Sequence, residues 1–374
     1  MALSSLYRRS LEDQTAQPAF ARAITSLVRP GDIVLDVGTG TGIHALLACR
    51  AGAARVYAVE RENVIELARQ TCARNGCGDR VCFVRGSIFE VELPERVDVA
   101  VCNMGLKELA QVMPSVAASF LKPGGKLIPF RADVLCAPVE SAERAAEIAS
   151  WGSRPLDFDF SIFLAATANS VLEQALQDTE LLSPGQNFAA LDFARDPGEM
   201  AAALSFRVAR HGTMNGIGVW HVQHFADGIS TTIGPPTRLS QVWGNQLLPL
   251  EQSFPVEAGD EVSIWLQTGT GGWGATWNWK VTVRDGGGNV RARTAQSTLF
   301  GDLHSKRALA RTAPDFVPQL SSSGEAARLV LEGCAAGLAI AAIQRRLCAR
   351  FPRLFPGGET AAAFVAEILE KYAP

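Results

Sequence analysis

The stretch Val34-Leu35-Asp36-Val37-Gly38-Thr39-Gly40-Thr41-Gly42 decides the fold of this chain. A short apolar run that ends in closely spaced glycines is typical of a strand that turns sharply into a helix. Glycines at such a turn let the backbone approach a ligand closely. Many nucleotide-binding folds share a glycine-rich turn, so the turn alone does not identify its ligand. The surrounding sequence has to decide that question.

Short strand-like runs and helical patterns alternate around this turn, from Ile33 to about Val134. Such alternation predicts right-handed crossovers and a parallel sheet covered by helices on both faces. We therefore predict an α/β Rossmann-like domain over residues 1–140, in which MPSVAASFLKPGG forms the last helix and KLIPFRADVLCAP begins a hairpin. The predicted strands are IVLDV, RVYAVE, RVCFVRG and VDVAVCN.

Three features indicate which cofactor this domain binds. Glu60 ends the second predicted strand, where a carboxylate can accept hydrogen bonds from both ribose hydroxyls. Asp36 lies within the turn, where a negative group suits a cationic cofactor better than a pyrophosphate. Leu121–Leu127 forms a helix–PGG–strand element that recurs in class I methyltransferases. These features predict S-adenosylmethionine as the cofactor, and the other residues expected at its site are Gly38, Thr39, Gly40, Gly42, Ile43, Arg61, Gly86, Ser87, Ile88 and Asn103.

The rest of the chain has a different character. From Met200 to Thr294 the sequence contains short strand-like runs separated by glycine and proline turns, such as GIGVWHVQHF, RLSQVWGNQLL and WNWKVTVRD. This pattern predicts an antiparallel barrel or sandwich, and we place a β-barrel domain at residues 141–305. After the PDFVPQLSSSG stretch the sequence is amphipathic at helical spacing, which predicts a small helical domain over residues 306–374.

Composition narrows the classes of function. The chain has 374 residues, 47% of them hydrophobic and 20% charged, with a net charge of -3, so we expect a globular protein without a nucleic-acid partner. None of the eight cysteines forms a CxxC pair, and we expect neither a disulfide scaffold nor a metal site. The N-terminus lacks the apolar region of a signal peptide, and no apolar run is long enough to span a membrane. These features predict a cytoplasmic protein without a membrane partner.

From about Leu11 to Val283 the chain resembles the protein arginine methyltransferases. VLDVGTGTGIHALLACRAGAARVYAVE is similar to that family's first motif, and MPSVAASFLKPGGKLIP is similar to a later helix and strand. ELLSPGQNFAALDF and VEAGDEVSIWL resemble parts of its C-terminal barrel. The resemblance implies a cofactor domain followed by a β-barrel, with the methyl acceptor bound between the two.

The sequence departs from this family in the segments that contact the acceptor. The resemblance implies a loop with two glutamates after the fourth strand, but in this chain Asn103 takes the place of the first glutamate and only Glu108 is acidic. The family's Thr-His-Trp loop corresponds to Gln241-Val242-Trp243, which keeps only the tryptophan. Since a buried guanidinium without matched carboxylates is costly, we expect poor activity on arginine-rich protein tails.

Five residues are assigned roles at the acceptor site. Glu108 is predicted to orient or deprotonate an amine, with Asn103 as a catalytic hydrogen-bond partner; the alternative for Glu108 is a solvated acid at a helix start. Met104, His221 and Trp243 are predicted to line the acceptor site. The spacing His221-x-x-His224 falls in a predicted strand, where residues three apart face opposite sides, so a metal is not expected there.

Three functions follow from these observations. The first is N-methylation of a peptide or amino-acid-like acceptor, and the second is O- or carboxyl-methylation of a small-molecule metabolite. The third is a catalytically inactive protein that binds the cofactor and a partner. The segment 306–374 also resembles the helical part of PqqD-like domains, which implies leader-peptide binding. A plain helical cap or a dimerisation element is the alternative, and a homodimer stays open.

Overall fold

Residues 3–195, 198–235, 244–268, 276–301, 310–311 and 313–372 are the part of the chain that the computed structural model describes. The chain divides into two units, Met1–Leu303 and His304–Pro374. The first unit contains a parallel sheet and two antiparallel sheets, and the second contains helices.

A five-stranded parallel sheet with the order β3-β2-β1-β4-β5 is the centre of the N-terminal part. Its central strand β1 is buried at nearly every position, as expected of a parallel strand covered on both faces. The Rossmann-like prediction is thus confirmed. The strands are β1 (Ile33–Val37), β2 (Arg55–Glu60), β3 (Val81–Arg85), β4 (Val97–Cys102) and β5 (Leu121–Ile128), and the helices are α1 (Leu3–Leu11), α2 (Ala16–Leu27), α3 (Ile43–Ala51), α4 (Ile65–Arg74) and α5 (Leu106–Ser119).

Two details of the predicted domain are wrong. Helix α5 begins at Leu106 rather than near Met113, and the LKPGG stretch belongs to β5, where Gly124 takes a left-handed φ of 78°. KLIPFRADVLCAP forms no hairpin, because β5 pairs in parallel with β4 while β6 (Arg131–Val139) pairs antiparallel with strands of the next sheet. A strand-like pattern indicates a strand but does not determine which sheet that strand joins.

Two antiparallel sheets form the barrel-like part, as the sequence predicts. One has the order β7-β12-β10-β6-β8, with β11 paired to β10, and the other has the order β15-β14-β13-β9. Both contribute to one apolar core, in which Phe206 and Trp279 are fully buried. The new strands are β7 (Leu172–Gln174), β8 (Gln186–Asp192), β9 (Met200–Arg207), β10 (Gly212–Ala226), β11 (Ile229–Thr232), β12 (Asn245–Val256), β13 (Glu261–Thr268), β14 (Trp277–Arg284) and β15 (Val290–Ser297), with helices α6 (Ala142–Ser150) and α7 (Ile162–Ala168) between β6 and β7.

The second unit consists of helices α8 (Ser322–Ala335), α9 (Ile340–Arg350) and α10 (Gly358–Tyr372). Their apolar faces are buried against one another through Val330, Ile343, Leu347 and Val365. Helices α8 and α9 approach closely at Gly333, where a Cβ would lie 2.8 Å from Ile343. Among the described residues of this unit no strand is present, so an edge that could receive a peptide by strand addition is not found there. In the described parts of the whole chain, no helix is long and apolar enough to cross a membrane.

His44 lies in an aromatic cluster behind the glycine turn. Its ring centroid is 4.5 Å from that of Phe20, its exposed fraction is 4%, and its Nε2 atom has no hydrogen-bond partner within the described residues. Burial lowers the pKa of His44 from 6.5 to about 4, because a charged imidazolium would lose its hydration there. The imidazole is therefore neutral at physiological pH.

We predict that His44 makes the fold sensitive to acid. As the pH falls from 6.5 towards 4, the unfolded chain protonates this histidine before the folded chain does, so the free energy of unfolding decreases. His44→Phe removes this contribution and should reduce the loss of stability between pH 7 and pH 5 by about 2 kcal/mol, measured by urea unfolding. Only the difference from wild type is diagnostic, because burial raises the pKa of Asp36 to about 7 and this carboxyl acts with the opposite sign. The exposed His211, replaced by Gln, is the matched control, and an equal acid loss in His44→Phe and wild type would contradict the prediction.

Candidate active site

The sheet order places two predicted loops at one point. Strands β1 and β4 are neighbours, and the chain order reverses between them, which is where open α/β sheets bind ligands at the carboxyl ends of their strands. The glycine turn follows β1, and Asn103 and Met104 follow β4. The structure therefore brings the predicted cofactor turn and the predicted acceptor loop together.

Both conformation and close packing require glycine in the turn. Gly38, Gly40 and Gly42 have φ angles of 67°, 51° and 83°, in the left-handed region that disfavours other residues. A Cβ at Gly38 would lie 2.5 Å from the Cε of Met104, and one at Gly40 would lie 3.0 Å from the ring of Tyr7. Tyr7 is a residue that the sequence analysis missed, since it belongs to α1 and no local pattern links that helix to the turn.

Asp36 links the glycine turn to helix α3 through side-chain hydrogen bonds. Its Oδ2 atom accepts hydrogen bonds from the Thr39 hydroxyl at 2.5 Å and from the Ala45 N–H at 3.1 Å. Its Oδ1 atom accepts no hydrogen bond within the described residues and lies 3.9 Å from Nδ1 of His44. Burial raises its pKa to about 7, against the opposing effect of these hydrogen bonds. A positive charge nearby would favour the ionised carboxylate, and the predicted role opposite a cationic cofactor stays a prediction.

Glu60 lies at the end of β2, beside the turn. Its carboxylate accepts hydrogen bonds from the Gly40 N–H at 3.1 Å and from the Glu62 N–H at 3.0 Å, and its exposed fraction is 8%. A carboxylate has about four acceptor positions, so it can still accept bonds from ribose hydroxyls. The Gly86 N–H donates to the Glu60 main-chain oxygen at 3.0 Å, which brings the predicted segment Gly86-Ser87-Ile88 next to this site.

The remaining predicted cofactor residues differ in exposure. Ile88 is buried, whereas Arg61 is 77% exposed in its side chain and pairs with Glu62 at 3.2 Å. Gly42 precedes the first residue of α3, Ile43. A turn in which three of five residues are glycine and an adjacent carboxylate with free acceptor positions fit the backbone contact and the ribose contact that S-adenosylmethionine requires.

A cavity of about 290 Å³ lies between the first turn of α5 and the strands of the barrel-like part. Glu108 and His221 both line it. His221 is 8% exposed, and its imidazole forms no hydrogen bond within the described residues, whereas its main-chain oxygen accepts from the Thr232 hydroxyl at 3.3 Å. Burial lowers the pKa of His221 to about 4, so the imidazole is neutral. The lining comprises Gly105, Leu106, Lys107, Glu108, Glu173, Val219, Trp220, His221, Ile233, Gly244 and Gln246.

Other predicted acceptor residues are placed differently. Asn103 and Met104 are half-buried directly before the cavity-lining Gly105, and neither lines the cavity itself. The loop Gln241-Val242-Trp243 lies outside the described residues. His224 turns to Asp133, with 2.9 Å between Nε2 and Oδ2, so it does not converge with His221. Among the described residues no group of histidine, cysteine and acidic side chains is arranged to hold a metal ion.

Glu173 and Gln246 are cavity residues that the sequence analysis missed. Glu173 lies on β7 and Gln246 on β12, and the two are directly paired in the antiparallel register. In the sequence they are distant both from each other and from Glu108. No local motif marks either residue, and only the pairing of β7 with β12 could have found them.

Comparisons with known proteins agree with this geometry. A profile of the family described as Ribosomal protein L11 methyltransferase (PrmA) matches residues 15–129. The chain is 31% identical over 250 residues to Protein arginine N-methyltransferase 6 of Xenopus tropicalis. The aligned region covers 62% of this chain and 74% of that protein. It is 30% identical over 241 residues to Histone-arginine methyltransferase CARMER of Anopheles gambiae, of whose length the chain spans only 39%.

Solved structures show the same fold. The Trypanosoma brucei PRMT1 enzyme-prozyme heterotetrameric complex with AdoHcy has a TM-score of 0.70 at 19% identity, covering 78% of this chain and 96% of that chain. Protein Arginine Methyltransferase 10 of Arabidopsis thaliana, in an open conformation, has a TM-score of 0.66 at 21% identity, covering 78% and 97%. In each case about a fifth of this chain has no counterpart.

A glycine turn of this kind at the switch point, beside the buried carboxylate of Glu60 and on a sheet that the methyltransferase profile matches, defines a class I methyltransferase with S-adenosylmethionine as its cofactor. Because the frog relative is 31% identical and 74% covered, the chain belongs to the protein arginine methyltransferase family. The predicted fold, enzyme class and cofactor are thereby confirmed.

We predict that Glu60→Ala weakens binding of S-adenosylmethionine by roughly 1–3 kcal/mol, the scale for losing hydrogen bonds to a charged group. Isothermal titration calorimetry with wild type and variant measures this difference. Glu66→Ala is the matched control, because Glu66 is an exposed glutamate that pairs with Arg69 on α4. An unchanged affinity of Glu60→Ala for S-adenosylmethionine would show that Glu60 does not bind the cofactor.

Proposed function

We propose that this protein transfers a methyl group to a nitrogen of a peptide or amino-acid-like acceptor held between the Rossmann-like part and the barrel-like part. The observation that carries this proposal is the cavity in which Glu108 of α5 and the neutral His221 of β10 meet. The cavity begins at Gly105, one residue after Met104, whose Cε reaches the cofactor turn at Gly38. Acceptor and cofactor sites are thus linked by one short segment.

S-adenosylmethionine supplies the methyl group, attached to a positively charged sulfur. The protein has to align the acceptor nitrogen with that carbon and to receive a proton. Glu108 orients the acceptor and receives its proton through the carboxylate, and His221 offers a neutral imidazole that can accept a hydrogen bond. Asn103, directly after β4, is the proposed hydrogen-bond partner of the acceptor.

Charge favours this acceptor class over the alternatives. Glu108 and Glu173 line the cavity, and only Lys107 opposes them among the charged residues of the described lining. A carboxylate acceptor would therefore meet like charge, whereas a basic nitrogen would meet opposite charge. An inactive cofactor-binding protein is the third candidate, and turnover with any acceptor separates it from the other two.

We predict that Glu108→Gln lowers kcat/KM for methyl transfer to a basic peptide by about 100-fold or more, the scale for losing a positioned acid–base group. Transfer of radiolabelled methyl groups to arginine- and lysine-containing peptides measures this effect. Cofactor affinity should stay unchanged, and the exposed Glu92, replaced by Gln, should behave as wild type. Full activity of Glu108→Gln would contradict this prediction and favour the alternative, in which Glu108 is a solvated acid at a helix start.

We also propose that the protein forms a homodimer. Helices α6 and α7 and the segment between them expose several large apolar side chains, and the rings of Trp151 and Phe163 stack at 4.8 Å. Leu156 and Ile162 are 88% and 81% exposed. An apolar patch of this kind is typical of a protein interface, and we assign a second copy of this chain as its occupant.

For the C-terminal helices we propose recognition of a leader or partner peptide. This proposal is supported by two observations: the helices form a separate unit, and they have a buried apolar core of their own. A unit with its own hydrophobic core can in principle fold independently.

We predict that truncation near Pro314 leaves both the cofactor affinity and the oligomeric state in solution unchanged. The truncation should lower the catalytic efficiency for the natural acceptor through weaker binding. Calorimetry, light scattering and methyl-transfer kinetics measure the three quantities. Monomeric wild type would contradict the homodimer. Aggregation and loss of cofactor binding in the truncated chain would instead make these helices a structural part of the fold.

A further inference from the structure

One face of the barrel-like sheet presents a row of side chains to the cavity. Val219 of β10 pairs with Gln246 of β12, and Gln246 pairs with Glu173 of β7. Directly paired residues of antiparallel strands project their side chains on the same face. His221 lies two residues after Val219 and therefore projects on that face as well.

The polar members of this row are hydrogen-bond acceptors without partners. The Oε1 atom of Gln246 is buried and has no hydrogen bond within the described residues. The neutral imidazole of His221, which is 8% exposed, forms no hydrogen bond with the described residues. Glu173 is exposed, and its carboxylate forms no ion pair among the described side chains, although its main-chain oxygen accepts a bond from Arg144 at 3.3 Å. The buried Gln246 oxygen is costly to leave without a partner, which indicates a ligand that donates hydrogen bonds.

Glu108 faces this row from the other side of the cavity, on the first turn of α5. The cavity thus has one carboxylate from the Rossmann-like part and one from the barrel-like part. We propose that Glu173, with Gln246 beside it, is the second acceptor-binding carboxylate of this methyltransferase, and that the pair Glu108–Glu173 selects a cationic, hydrogen-bond-donating group. This inference rests on the proposed function and names the chemistry that the site prefers.

The proposal revises the expectation, drawn from the loop alone, of poor activity on arginine-rich acceptors, because it lets a loop with only one acid serve a basic acceptor. Asn103 takes the position at which the family resemblance implies the first glutamate. The loop alone therefore offers a bound cation only one carboxylate, that of Glu108. Glu173 supplies the missing charge from a different domain. A planar guanidinium has five donors and no acceptor, and its needs match two carboxylates, an amide oxygen and a neutral imidazole.

Binding of small probes to the full chain tests this assignment. N-acetyl-arginine amide and its neutral analogue N-acetyl-citrulline amide are titrated into protein saturated with S-adenosylhomocysteine. Wild type should prefer the arginine compound by tenfold or more, and Glu173→Gln should reduce this preference by about tenfold, as should Glu108→Gln. The matched control is Glu251→Gln, because Glu251 is exposed on the same strand as Gln246 and does not line the cavity. Thermal unfolding verifies that each variant folds.

The outcomes separate this inference from the proposed function. An unchanged preference in folded Glu173→Gln, or no preference in wild type, overturns the inference even if methyl transfer is observed. A reduced preference in Glu173→Gln together with an unchanged Glu251→Gln supports it. If the preference is reduced but labelled methyl groups reach no acceptor, the assignment of Glu173 stands and the proposed function fails.

Discussion

Close packing at the glycine turn is the constraint on which the first unit depends. A side chain at Gly38 would collide with Met104, since its Cβ would lie 2.5 Å from the Met104 Cε. This contact ties the carboxyl end of β1 to that of β4. Helix α5 starts at Leu106, so the position of its first turn is fixed relative to the cofactor turn as well. The proposed acceptor cavity therefore cannot shift without disturbing the predicted cofactor turn.

Packing of α5 extends this constraint to the barrel-like part. Met113 and Val116 of α5 belong to the same apolar cluster as Leu35 of β1 and Phe206 of β9. A close-packed cluster transmits displacement rather than absorbing it. Glu108 on the helix and His221 on β10 are thus held by one core, although they come from two sheets with different connectivity. Such fixed positions suit a displacement reaction, which depends on alignment more than on new covalent chemistry.

Local sequence patterns predicted the parts of this structure that local rules determine. The apolar run before Gly38 predicted a buried parallel strand, and the two-residue period of strands predicted that His221 and His224 would separate. The start of α5 and the partner of β5 were wrong, because neither depends on nearby residues alone. Tyr7, Glu173 and Gln246 were missed for a related reason. Each reaches its site through packing or pairing between segments that are distant in the chain, and no single-sequence pattern encodes that register.

The register of β7 gives Glu173 a different kind of support from that of a loop residue. Its neighbour Gln174 is buried and donates to the Ser141 hydroxyl at 2.8 Å and to Glu180 at 2.9 Å, while Asn245 opposite it accepts the Leu176 N–H at 3.0 Å. These bonds fix the short strand at its edge of the sheet. A carboxylate carried by a loop can move with that loop, whereas one carried by β7 keeps its place relative to β10 and His221. With Glu173 in the proposed role, recognition of the acceptor depends on how the two parts of the first unit pack together, and substitutions in the shared core alter acceptor choice without touching the cavity.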